Sequence, residues 1–217
     1  MISRTLLLLF ISINIIVSQA QDPLRFQGEV KQLTAGDSAI NKKKIILFVG
    51  SSSIRMWGSL AKDFPKHNTL NRGFGGSEMS DLIYFVDQLI VPYNPTKIFI
   101  YEGDNDLSNG KSPEDIAKHF QQLVSLIRQK LSPKTNVYFI SPKPSIARWS
   151  LKPKYDELNQ RLKTLAKQNK RVTFIDMWPP MLEPDGTVKK DLFIEDGLHM
   201  NAKGYSIWAA VVKAYLK

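Results

Sequence analysis

The 217-residue chain carries 30 Lys and Arg against 20 Asp and Glu, a formal charge of +10 at neutral pH, and no cysteine. The absence of cysteine excludes disulfides and the lipid-bearing thiol of a bacterial lipoprotein, so stability must rest on a hydrophobic core. The lysines are scattered along the sequence without a nucleic-acid-binding motif, so no nucleic-acid partner is expected; the excess charge reads as solubility, with attraction to anionic phospholipid or acidic polysaccharide as the sharper alternative.

The chain opens with a short basic start, Met1 to Arg4, followed by an apolar run to Val17 and the small residues Ser18-Gln19-Ala20. That is the pattern of a secretory signal cut between Ala20 and Gln21. The apolar run is interrupted by Ser12 and Asn14 and falls short of the ~20 apolar residues a membrane span needs. The expectation is a signal peptide over residues 1–20 and a single domain over 21–217. Such a chain would be secreted or periplasmic in a bacterium, with no stable membrane span after cleavage. Asn94-Pro95-Thr96 is blocked as a glycosylation acceptor by its proline.

Beyond the signal, Phe26, Val30 and Leu33 lie at helical spacing within Asp22 to Asn41. Apolar runs then alternate with amphipathic stretches. Five strands are expected over 45–49, 69–71, 97–101, 136–140 and 172–175, the central ones near-continuously apolar, as strands covered on both faces should be. Helices are expected over 53–64, 78–89, 113–130, 153–168 and 202–215. The third of these opens with Ser112-Pro113-Glu114-Asp115, a strong start signal. This alternation predicts an α/β fold with a parallel sheet and helices on both faces.

In such sheets ligands sit beyond the carboxyl ends of the strands. The loops there carry the most distinctive segments of the chain. Gly50-Ser51-Ser52-Ser53 places serines where the first strand gives way to a helix, where N–H groups favour a developing oxyanion, although such serines also serve as helix caps. It lacks the second glycine of a nucleophile elbow. Gly73-Phe74-Gly75-Gly76-Ser77 follows the second strand and can offer a bare backbone N–H; Glu78 replaces the third glycine of a dinucleotide fingerprint. Gly103-Asp104-Asn105-Asp106 follows the third strand. It reads as an amide donor, a polar turn, or a divalent-metal site with Glu102. Asp196 lies three residues before His199, well placed to orient it as a general base. The other histidines, His67 and His119, stand in ordinary polar contexts and are expected at the surface.

These four segments, in this order and on these strands, resemble the blocks of the SGNH (GDSL-like) hydrolases, an esterase and lipase superfamily. The resemblance runs from about Lys44 to Tyr215. It implies that Ser52 is the nucleophile, that Ser52, Gly76 and Asn105 donate to the oxyanion, and that Asp196 and His199 complete a triad. Ser51 stands where the family's first block has aspartate. The family implies a three-layer flavodoxin-like fold with a five-stranded parallel sheet, and a hydrolase with no cofactor and no metal. Its substrates would be carboxylic esters: an acetylated glycan, a lysophospholipid or a short-chain acyl ester. Activity should fall below about pH 6 as an imidazole base is protonated. Two readings compete: a metal-dependent phosphoesterase using Asp104, Asp106 and His199, and a non-catalytic glycan-binding domain on the same fold. Trp57, Trp149 and Trp178 could line a sugar or acyl site, but core packing is their usual role.

Overall fold

The computed structural model describes residues 22–217. The expected signal peptide and its cleavage point lie outside the described residues. The first turns form a short 3₁₀ segment, Pro23–Phe26, and helix α1, Gln27–Thr34. Val30 is its buried residue, with Phe26 and Leu33 packed against the same core.

Five strands follow: β1 Ile46–Gly50, β2 Thr69–Gly73, β3 Lys97–Tyr101, β4 Asn136–Ile140 and β5 Val172–Ile175. All pair in parallel in the order β2-β1-β3-β4-β5. The chain leaves β1 for β2 on one side and then crosses to β3 on the other. The order therefore reverses between β1 and β3, and parallel sheets of this kind form their ligand crevice at such a point.

Because successive side chains point to opposite faces, each strand supplies two cores. Leu47, Val49, Ile98, Ile100, Val137 and Phe139 face one layer of helices. That layer comprises α4 Met79–Tyr84, α5 Val86–Leu89, α7 Pro113–Lys130 and α8 Lys152–Gln168, with α1 beside it. Ile46, Phe48, Phe99, Tyr101 and Ile140 face the other layer, formed by α2 Ser52–Arg55, α3 Leu60–Asp63, α9 Trp178–Met181 and α10 Ala202–Lys213. A helix α6, Asp104–Ser108, sits at the exit of β3. Phe48, Phe99 and Tyr138 occupy one register row and stack across three strands, with ring centroids 4.6 Å apart at each step. Among the described residues, no helix is long and apolar enough to cross a membrane.

Two expected helices are broken. The stretch over 53–64 splits into α2 and α3 because the chain turns at Trp57-Gly58, burying the indole so that its Nε1 donates to Asp63 at 2.7 Å. The stretch over 78–89 splits at Phe85, whose buried ring packs edge-on against Phe74. The segment after β3, for which a polar turn is one of three readings, forms the helix α6, started by Gly103 in a left-handed conformation.

Candidate active site

Gly50 sets the geometry at the reversal point. Its φ is +126°, and a Cβ there would overlap the carbonyl oxygen of Tyr101 on β3. Only glycine lets the two strands meet this closely while the chain turns out of the sheet. Ser51 N–H donates to that same carbonyl, and α2 begins at Ser52. Ser51 and Ser53 are buried, and Ser53 is held through its carbonyl by the Tyr205 hydroxyl at 2.9 Å. Ser52 is the half-buried serine of the three, and its Oγ lies 2.9 Å from His199 Nε2.

The loop before α10 explains why His199 is held there. Asp196 Oδ1 accepts from the N–H groups of Leu198 and His199 at 2.8 and 2.9 Å, folding the chain into a tight turn. Its Oδ2 lies 2.5 Å from His199 Nδ1. A carboxylate can only accept, so the network assigns the ring proton to Nδ1 and leaves the Nε2 lone pair facing Ser52. Desolvation opposes the charge on Asp196, but the His199 ring and the two N–H groups outweigh it and bring its pKa down to about 2.

The glycine loop after β2 and helix α6 form the other side. Asn105 Nδ2 donates to the Ser77 carbonyl at 2.9 Å and lies 3.8 Å from where a Cβ on Gly76 would stand. Among the described residues, nothing accepts from the N–H of Ser52 or Gly76, so both remain available to a ligand. Ser52, Gly76 and Asn105 thus lie just beyond β1, β2 and β3, and the loop before α10 brings His199, with Asp196 behind it, to Ser52.

Beside Asn105, Asp104 centres a charge cluster whose other members no motif marks. Asp104 is buried and accepts from Tyr101 at 2.7 Å, from Tyr155, and from Arg148 Nη1 at 2.7 Å, with the fully buried Lys143 Nζ at 3.5 Å. Burial works against its charge, yet Lys143 and Arg148, with both tyrosine hydroxyls, hold its carboxyl well below the usual range. Lys143 and Arg148 come from the loop after β4. The sequence pattern singled out the loops after the first, second, third and fifth strands and passed over this one.

A second buried network supports the glycine loop. Glu102 accepts from Ser77 Oγ at 2.7 Å, and burial, reinforced by neighbouring Asp106, pushes its carboxyl well above the ordinary value. Burial also raises Asp106, to about 6, although Lys111 partly offsets this. By hydrogen bonds Asp104 belongs with Tyr101, Tyr155 and Arg148, Glu102 with Ser77, Asp106 with Met79 and Lys111, and His199 with Ser52 and Asp196, and among the described residues no three such side chains converge as a metal ligand set. Trp57 and Trp178 are core residues; Trp149 is half-buried and stacks on Trp178 at 6.1 Å. His119 is half-buried rather than at the surface, because α7 turns it toward the body.

A model of the GDSL-like Lipase/Acylhydrolase family matches residues 34–207. The chain belongs to this family. Family members are hydrolases acting on esters, and the five-stranded parallel sheet with helices on both faces is their fold. A search of curated proteins returned no match. Among solved structures, a GDSL-like lipase from Bacteroides thetaiotaomicron VPI-5482 aligns with a TM-score of 0.72 at 20% identity, covering 89% of this chain and 98% of that one. A catalytic mutant of an acetylxylan esterase from Geobacillus stearothermophilus aligns with a TM-score of 0.65 at 15% identity, covering 80% and 94%. A member of the lipolytic G-D-S-L family from Veillonella parvula DSM 2008 aligns with a TM-score of 0.65 at 20% identity, covering 79% and 97%. At these identities the likeness is one of fold.

Proposed function

We propose that the chain is an exported serine esterase that hydrolyses small carboxylic esters through an acyl-enzyme on Ser52. The observation that carries this reading is the 2.9 Å contact between Ser52 Oγ and a His199 ring whose other nitrogen faces Asp196. His199 Nε2 takes the hydroxyl proton as Ser52 attacks the ester carbonyl. The N–H groups of Ser52 and Gly76 and the Asn105 amide receive the oxyanion. The imidazolium then protonates the departing alcohol. Water, deprotonated by the same nitrogen, attacks the acyl-enzyme and frees the acid and Ser52.

The substrate range we propose is an acetylated glycan, a lysophospholipid or a short-chain acyl ester. Asp196 is exposed, and Ser52 and His199 are half-buried, so the site is open to esters of each of these classes. The acetylxylan esterase among the structural neighbours favours acetyl groups on polysaccharide as the first to test. Export is proposed on the basic, apolar and small-residue pattern of the first 20 residues. The reading is tested with a panel of acetylated xylans, nitrophenyl esters of increasing chain length and lysophospholipids, against wild type and Ser52→Ala. Hydrolysis of at least one class by wild type alone supports it. Equal hydrolysis by both proteins would remove Ser52 from the mechanism.

A further inference from the structure

We propose that Arg148 is a positioning residue that fixes which way round the Asn105 amide stands at the oxyanion site. The inference rests on the serine-esterase reading above and adds a residue that lies in none of the family blocks.

A side-chain amide has two nearly equivalent orientations about its last torsion, differing in whether oxygen or NH₂ occupies a given spot. At an oxyanion site the difference is decisive. The NH₂ group attracts the developing charge, whereas the oxygen repels it. Arg148 removes the ambiguity. Its Nη2 donates to Asn105 Oδ1 at 2.9 Å, while on the opposite side Asn105 Nδ2 donates to the Ser77 carbonyl at 2.9 Å. Guanidinium can only donate and a backbone carbonyl can only accept, so a flipped amide would meet a mismatched partner at both ends. One amide hydrogen goes to Ser77, and the second is left for a ligand.

Arg148 is itself well anchored. Its Nη1 donates to Asp104 Oδ1 at 2.7 Å, and Asp104 is the residue preceding Asn105 on α6. One planar group therefore spans two adjacent side chains, a match that the single ammonium of lysine does not reproduce. The side chain is only 15% exposed, which shields both contacts from water. The same segment also reaches the histidine loop. Ala147 N–H donates to the Gly197 carbonyl at 3.0 Å, and Ile146 packs against Gly197. Residues 146–148 thus brace the oxyanion side against the loop that carries Asp196 and His199.

The test is a double-mutant cycle on a nitrophenyl ester with wild type, N105A, R148A, R148K and N105A/R148A. Losing one oxyanion donor lowers kcat by ~10²-fold or more, so N105A sets the scale. We expect R148A and R148K to lower kcat with KM little changed, and R148A to add almost nothing in the N105A background. Added guanidinium should restore part of the R148A activity and none of that of N105A/R148A. If R148A costs as much on top of N105A as it does alone, the residue acts on stability or elsewhere, and the proposal fails. The Asn105 side-chain ¹⁵N–¹H signals give a readout independent of turnover. They should shift or broaden in R148K, and unchanged signals would overturn the proposal whatever the kinetics. Loss of the esterase reading itself would appear separately, as Ser52→Ala retaining activity.

Discussion

Glu29 Oε1 accepts the Gly75 backbone N–H at 2.9 Å, so a side chain of α1 holds the loop that presents Gly76. Gly75 has φ +36°, and the Phe26 ring lies where its Cβ would be. Arg55, one turn past Ser52, reaches the same Glu29 oxygen at 3.3 Å. The segment before β1 therefore ties the glycine loop to the serine helix. Glu29→Ala removes a hydrogen bond of ~1 kcal/mol from that loop and should lower kcat several-fold. Glu29→Gln keeps an acceptor and should stay near wild type. Steady-state kinetics on the two variants separates loss of the bond from loss of the charge.

Asp104 neutralises two cations, one of them the fully buried Lys143. Asp104→Asn should destabilise the fold by ~3 kcal/mol, because it leaves a buried ammonium without its partner charge. Adding Lys143→Met should recover a large part of that loss. Urea midpoints for the single and double variants check both statements.

The buried acids and Asp196 pull the pH dependence of stability in opposite directions. Asp196 is depressed to about 2, so its contribution is present above the ordinary aspartate value and disappears as pH falls toward 2. Asp106 is raised to about 6, so the folded state holds its proton more tightly than the unfolded chain does. Its contribution is full below the ordinary value of ~4 and is lost as pH rises through about 6. Relative to wild type, Asp106→Asn should therefore gain stability from about pH 4 to about pH 6 and level off by about pH 7. Melting temperatures of the pair across that range provide the check; a constant difference would contradict the assignment.

Two glycines should respond in opposite ways to alanine. Gly50→Ala drives a Cβ into the Tyr101 carbonyl at an unfavourable positive φ, and should cost several kcal/mol or prevent folding. A Cβ at Gly76 meets only Asn105 Nδ2, at an ordinary 3.8 Å, and leaves the N–H in place. Gly76→Ala should fold normally and keep most of its activity. Circular dichroism and a single assay distinguish the two.

The sheet was largely legible because parallel strands covered on both faces are continuous apolar runs, and β3, β4 and β5 begin and end where those runs do. Helix continuity was less so. Trp57 and Phe85 look like helix-face residues by spacing, but tertiary burial of their rings breaks the helices there. Segments 50–53, 73–77 and 103–106 stand out by composition at the exits of β1, β2 and β3, and Asp196 and His199 by their spacing ahead of α10, while the family resemblance picks Ser52, Gly76 and Asn105 within their segments. Glu29 and Arg148 carried no such mark. They act on Gly75 and Asn105 from 46 and 43 residues away, and long-range partners of that kind leave no periodicity or spacing to read.

The central claim is that Ser52 is the activated hydroxyl. Its most direct test is labelling of the purified protein with a fluorophosphonate, followed by peptide mass spectrometry. The account predicts one adduct, on Ser52, unaffected by Ser51→Ala or Ser53→Ala, abolished by Ser52→Ala and strongly slowed by His199→Ala. An adduct on Ser51 or Ser53, or no adduct on a protein that still hydrolyses esters, would contradict it.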